Sequence, residues 1–336
     1  MDLLLNLLRS EPSKNLVLSS INVEHAFAIL ATAAAGKTRD EILKMTSQEV
    51  AKTAQRVKSL EALSTVQLDS KMFTCFKPKT DFWKAHFTAS HDYVDFTDPK
   101  TADEINSWIA KSTKNMIKKL VDASDLDALT RMILVSAIFF KGSWQTPFRR
   151  TFEGKFDGGK HTVQYMRHNF KGVMYNQTGQ FQAISLPYSS DGLEMTVVLP
   201  KSDLLSFETS LTGGKIKEVF AGLRKTREVN FQMPKFAIES ELDLKNIFEK
   251  LGFGHVFSSA MDDYSPLTDE SVFLSMAKHK AKIEVNEEGT VAAAATVAKI
   301  MLKCMVIPEE FVCDRPFLYF IRKEDEVIFA GRFMQP

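Results

Sequence analysis

Metal, nucleotide and acyl-transfer chemistry each need particular residue types at fixed spacing, and the segments of this chain that come nearest fall short in identifiable ways. Ala31-Thr32-Ala33-Ala34-Ala35-Gly36-Lys37-Thr38 resembles a phosphate-binding loop ending in GKT. A phosphate cradle needs a strand before it and glycines whose backbone N–H groups converge on the phosphates. Here a helical pattern precedes Gly36 and alanines fill the loop, so a helix-to-helix turn is expected. The seven histidines include no HExxH pair, and Cys75, Cys304 and Cys313 form no CxxC pair. No GxSxG elbow occurs, and Gly252-Phe253-Gly254 lacks the third glycine of a dinucleotide fingerprint. These residues give no support to metal hydrolysis or a dinucleotide site, and neither a cofactor nor a metal is expected.

The most informative segment is Glu287-Glu288-Gly289-Thr290-Val291-Ala292-Ala293-Ala294-Ala295-Thr296-Val297-Ala298. Two structures suit it. In one, Thr290 caps a helix that the alanines propagate, with Lys299 and Lys303 favouring its C-terminal end. In the other, the run is a segment able to become a β-strand inside an existing sheet. Alternation would then place Thr290, Ala292, Ala294, Thr296 and Ala298 on one face and Val291, Ala293, Ala295 and Val297 on the other. All are small or β-branched, so entry into a packed sheet would bury no charge and lose no ladder hydrogen bond to proline.

The elements that must carry such a segment can be read in outline. Asn22 to Ala34 has apolar residues at helical spacing, with Gly36 where a C-terminal cap belongs. A second helix is predicted from Thr38, with Glu41 as its capping-box partner, and another over Ala102 to Leu120. Strands follow: Met132 to Phe140, Phe181 to Leu186, Leu193 to Leu199, Val229 to Met233, Lys280 to Val285, Phe317 to Ile321 and Val327 to Phe329. Helices early and strands late argue an α+β fold rather than an alternating doubly wound sheet. Neither a linker nor a repeat divides the 336 residues, so one domain over 1–336 is expected.

Composition excludes other classes. Forty-three Lys+Arg against forty-two Asp+Glu leave a formal charge of +1, without the basic footprint of a nucleic-acid binder. The longest apolar runs fall short of the about 18 residues of a membrane span. The apolar opening Met1 to Arg9 has an acidic second residue and no small-residue cleavage site, and does not read as a signal peptide. With three scattered cysteines, a reducing cytoplasmic location is expected, with release from the cell left open.

At Glu287-Glu288-Gly289-Thr290 and its alanines the sequence resembles the proximal hinge of the serpins. The likeness runs along nearly the whole chain. Leu134-Val135-Ser136-Ala137-Ile138-Phe139-Phe140-Lys141-Gly142-Ser143-Trp144 is similar to the family's strand leading to a tryptophan. Leu186-Pro187-Tyr188, Met233-Pro234-Lys235-Phe236, Leu244 to Gly252, Ala277-Lys278-His279-Lys280-Ala281, Asp314 to Arg322 and Phe329 to Phe333 match in order. Pro308-Glu309-Glu310-Phe311 and the Phe333-to-Pro336 ending look most like the intracellular, ovalbumin-like (clade B-type) branch.

The resemblance implies a serpin fold of three β-sheets, about eight or nine helices and an exposed reactive-centre loop at about 287–308. It implies a suicide inhibitor whose cleaved loop inserts into the central sheet, trapping a covalently attached protease, with a metastable native state. Counting from Gly289 in the family's spacing puts the cleaved bond at Lys303-Cys304, and a lysine there suits a trypsin-like serine protease. Counting back from Pro316 points near Met305, which would suit an apolar pocket. Trp144 and Glu287 match the region where insertion begins, and Gly289 would let the hinge bend. His279 matches a central gate residue, with Ser19 and Ser136 beside it. The family's usual asparagine partner of the gate is Ser136 here, and Asn22 is expected to supply the missing amide. The segment Ser47 to Leu68 is abbreviated, which argues against glycosaminoglycan activation. The partner implied is a target protease, with neither nucleic acid nor membrane, and the state a monomer at risk of loop-sheet polymers. A non-inhibitory serpin (chaperone, carrier or storage) and a cross-class inhibitor of cysteine proteases stay open as alternatives.

Overall fold

The computed structural model describes residues 2–46, 50–79, 91–258, 263–290 and 307–336. Within them eight α-helices and three larger β-sheets form a mixed α+β fold. Two compact units interleave along the chain. One comprises Met1–Leu18, Phe140–Glu239 and Ile283–Pro336, and the other Ser19–Phe139 and Ser240–Lys282.

The second unit holds the helices Ser20–Ala33, Gly36–Thr46, Val50–Glu61, Thr101–Ser112 and Leu244–Lys250. It also holds most of a five-stranded sheet in the order Phe236–Asp243, Leu274–Val285, Met132–Phe140, Val66–Thr74, His91–Tyr93. Met132–Phe140 is buried at all nine positions, the mark of a strand covered on both faces. Its neighbour Leu274–Val285 runs parallel to it, with Ala277 opposite Leu134 and His279 opposite Ser136. That strand begins six residues before the predicted Lys280. Its buried Ala277, His279, Ala281 and Ile283 alternate with lysines, so the sequence lacks a continuous apolar run.

The first unit is built on phenylalanine. Its seven-stranded and four-stranded sheets bring Phe156 to Phe333 at 5.2 Å between centroids, while Phe140 and Phe236, at the ends of strands of the five-stranded sheet, meet Phe329 and Phe317 of the seven-stranded sheet at 5.7 and 6.1 Å. The apolar opening forms the helix Asp2–Arg9, whose five leucines are buried.

Three expectations need correction. The GKT stretch lies at a helix-to-helix junction, but Gly36 (φ +50°) opens the second helix rather than capping the first, which ends at Ala33. Thr38 is buried and accepts from the Asp263 N–H, so no phosphate cradle exists there. Glu41 makes no capping box; its carboxylate accepts from the Val256 N–H. The helix expected to reach Leu120 stops at Ser112, because Lys114 and Asn115 turn left-handed and the Asn115 N–H closes back onto Ala110. Ile117 and Leu120 stay buried although the chain is no longer helical, which is why their spacing misled.

Candidate functional site: hinge and gate

Two constellations carry the residues singled out by sequence. The hinge lies in the first unit. Asn286 to Gly289 form a tight turn in which the Asn286 carboxamide oxygen accepts from the N–H groups of Glu288 (3.0 Å) and Gly289 (3.1 Å). Gly289–Thr290 then pairs antiparallel with Gly142–Ser143. Trp144 fastens the turn from the other side: its indole N–H donates to Asn286 O (2.9 Å) and its backbone N–H to Glu288 O (2.9 Å). Its ring stacks on Tyr188 at 4.5 Å with 12° between planes, and Phe148 meets its edge at 6.0 Å.

Glu287 pairs with Lys235 at 2.6 Å, and the hydrogen bond from that ammonium holds the carboxyl below its usual range. Both side chains are about one-third exposed, so the pair contributes at most about 1 kcal/mol.

Gly289 has a role the sequence did not suggest. Its φ is +148°, and a Cβ there would lie 2.3 Å from Gly142 O and 2.5 Å from Ser143 Cα. Only glycine lets the turn seat against Gly142–Ser143. Freedom to bend is secondary to this close approach. Val291, Ala292, Ala293, Ala294, Ala295, Thr296, Lys303, Cys304 and Met305 lie outside the described residues.

The gate lies in the second unit. His279 is wholly buried between the Ser136 hydroxyl, 3.0 Å from Nδ1, and the Ser19 backbone N–H, which donates to Nε2 at 3.1 Å. Because the amide can only donate, Nε2 must be unprotonated. The neutral ring therefore carries its proton on Nδ1 and donates to the Ser136 oxygen. Burial lowers the His279 pKa to about 3, and protonation would set a new N–H against the Ser19 donor. Ser19 has a second task, since its hydroxyl accepts from the Asn22 N–H and caps the helix Ser20–Ala33.

Asn22 does not partner His279, contrary to expectation. Its carboxamide donates to Ala137 O (3.0 Å) and accepts from the Ser70 hydroxyl (3.1 Å). This ties the helix to the strands Met132–Phe140 and Val66–Thr74. Sequence reasoning missed Ser70, and no local pattern could have found it: it lies 48 residues from Asn22 in a segment where no strand was expected. Among the described residues no group of three or more His, Cys, Asp or Glu is placed to hold a metal ion.

Leu274–Val285 thus carries the buried His279 and leads into the turn fastened by Trp144. Comparison with known proteins gives the class. Residues 1–336 match the family model described as Serpin (serine protease inhibitor). The chain belongs to the serpin family. It is 32% identical to Serpin B6 of Pongo abelii over 312 residues, 88% of this chain and 80% of that protein. It is 31% identical to plasminogen activator inhibitor 1 of Neovison vison over 361 residues, 98% of this chain and 89% of that one. The crystal structure of Serpin48 from the insect Tenebrio molitor, described as a highly specific serpin, superposes with a TM-score of 0.84 at 28% identity. That match covers 98% of this chain and 94% of Serpin48.

Proposed function

We propose that this protein is a suicide-substrate inhibitor of serine proteases of the trypsin type. The bond offered is Lys303-Cys304, with Met305 as the alternative residue before the cleaved bond. The observation that carries the reading is the direct pairing of Leu274–Val285 with Met132–Phe140, followed in the sequence by a run from Gly289 to Ala298 made only of small or β-branched, uncharged residues. A segment that follows Leu274–Val285 through the turn Asn286–Gly289 and reverses direction would run antiparallel to both strands. It would fit as a sixth strand once they part, and the small, uncharged residues of Thr290 to Ala298 would let it enter without burying a charge. Opening costs the ladder between Leu274–Lys282 and Met132–Phe139. A strand antiparallel to both re-forms that ladder on each side, which supplies the driving force after cleavage.

His279, Ser136 and Ser19 act as the clasp of that opening, with Asn22 bracing it. Trp144, Glu287, Glu288 and Gly289 define where insertion starts. The protein acts through a target enzyme's chemistry without being an enzyme. Its expected location is the cytoplasm, in keeping with the free thiols of Cys75 and Cys313.

The test is to mix the protein with trypsin, chymotrypsin and a cathepsin L-type cysteine protease, then run denaturing gels and mass spectrometry. A denaturation-resistant adduct with trypsin, with a released fragment starting at Cys304, is expected. A fragment starting at Val306 transfers the assignment to Met305. Clean cleavage with neither adduct nor gain in thermal stability removes the inhibitory reading.

A further inference from the structure

Between Arg150–Phe156, His161–Lys171, Glu228–Pro234 and the entry to Glu309–Val312 lies a cleft of about 530 Å³, entirely within the first unit. Arg149, Arg150, Arg167 and Lys171 line it, against two carboxylates, Glu228 and Glu310. Those carboxylates are engaged by amides rather than by the cations. The Asn230 carboxamide donates to both Glu310 oxygens at 2.8 and 2.7 Å, and Asn169 donates to Glu228 at 2.6 Å. Among the described residues, Arg149, Arg150 and Lys171 have no side-chain ion pair, and Arg167 has a neutral partner, Asn230.

The register adds a second observation. Arg150 and Arg167 stand directly opposite each other on antiparallel strands, and like charges so placed oppose folding. Two exposed guanidiniums kept in that arrangement, with a third on the preceding residue, make a fork array suited to carboxylates.

Position says what would bring the carboxylates. Pro308 lines the cleft and lies five residues beyond Lys303 and three beyond Met305. Five residues of fully extended chain reach at most about 18 Å. Any enzyme holding either bond in its active site would therefore lie within about 18 Å of Pro308, close enough for its surface to meet the cleft.

We infer that this cleft is an exosite for an acidic surface segment of the target protease, accelerating encounter through charge. The inference rests on the reading of the loop as protease bait. The occupant is a carboxylate-bearing peptide segment rather than a polysulfated chain, because Glu228 and Glu310 interrupt the cationic surface and confine it to a compact cleft. Such complementarity acts mainly on the association rate and fades with salt.

Two measurements test it on the full chain. In the first, a fluorescein-labelled Asp/Glu octapeptide is titrated by anisotropy at about 50 and about 300 mM NaCl. Binding should weaken about tenfold or more in the higher salt, and as much in the double variant Arg149→Glu/Arg150→Glu. If that variant fails to melt cooperatively, Arg149→Gln/Arg150→Gln should give a smaller loss of the same sign. In the second, the rate of adduct formation is compared for trypsin and for a trypsin carrying added aspartates on a loop bordering its primed-side cleft. The acidic trypsin should react about tenfold faster with the unmodified inhibitor and no faster with the double variant, at unchanged stoichiometry. Equal rates for both trypsins, octapeptide binding insensitive to Arg149 and Arg150, or tighter cleft binding by a heparin hexasaccharide would each overturn the inference. Absence of any adduct would instead remove the inhibitor reading, while the octapeptide titration would still report on the cleft.

Discussion

At the scale of single residues, His279 sits wholly buried between two hydrogen bonds and Gly289 lies against the backbone of Gly142 and Ser143. The Nδ1–H of His279 has Ser136 as its acceptor in a fully buried site, so Ser136→Ala strands a buried donor. A loss of about 1–3 kcal/mol is expected, read as a lower urea midpoint. Titration follows the same residue. His279 has a folded pKa of about 3 against an ordinary 6.5, so between those values the unfolded chain binds the extra proton. Stability from this group is complete above about pH 6.5 and is lost as pH falls toward 3. His25, His91 and His168, each lowered to about 4 by burial, act in the same sense. Asp69, raised to about 6 by burial, acts in the opposite sense between 3.8 and 6. The informative quantity is therefore a difference. His279→Gln should flatten the stability-versus-pH slope in this range by up to about 1.4 kcal/mol per pH unit, one proton's worth, in urea unfolding at stepped pH. For Gly289→Ala the added methyl meets the backbone of Gly142 and Ser143. About 1–3 kcal/mol of strain and a lowered melting temperature are expected.

Elements matter because the clasp is shared among three of them. The N-terminus of Ser20–Ala33 supplies both the Ser19 N–H and the Asn22 amide, while Met132–Phe140 supplies Ser136 and Ala137 O. Asn22→Ala would leave Ala137 O without that donor and free the Ser70 hydroxyl. We expect easier separation of Met132–Phe140 from Leu274–Val285, seen as higher-order species in size-exclusion chromatography after mild heating. Unchanged elution would show that Asn22 does not brace the sheet. The helix Thr101–Ser112 shows the same dependence on context. Its apolar face packs with Phe73, Ile133 and Val135, and the chain beyond Ser112 stays buried without staying helical.

For the whole molecule, the proposed inhibition would be a contest between insertion of the cleaved loop and release of the intact enzyme. Ala294→Arg places a charge on the face shared by Thr290 and Ala292, where entry into a sheet would bury it. The expected outcome on denaturing gels is cleaved inhibitor without adduct, with the cleavage rate little changed. Adduct formation at the original stoichiometry would show that this position never enters the sheet.

What the sequence determined by itself is the part coded locally. The mixed fold, the buried run Met132–Phe140 and the unbroken series of small residues after Gly289 are contiguous signals. So are the ordered blocks that place the chain among the serpins. The tertiary structure decided what depends on residues far apart. The alternating lysines of Leu274–Val285 conceal a twelve-residue strand until its neighbour and the acidic partners Asp125 and Glu241 of Lys278 are in place. Asn22 was expected to reach His279, yet its amide is taken by Ala137 and Ser70, 115 and 48 residues away. A polar side chain bonds whichever group the fold brings within about 3 Å, and one residue's neighbours in sequence do not say which that will be.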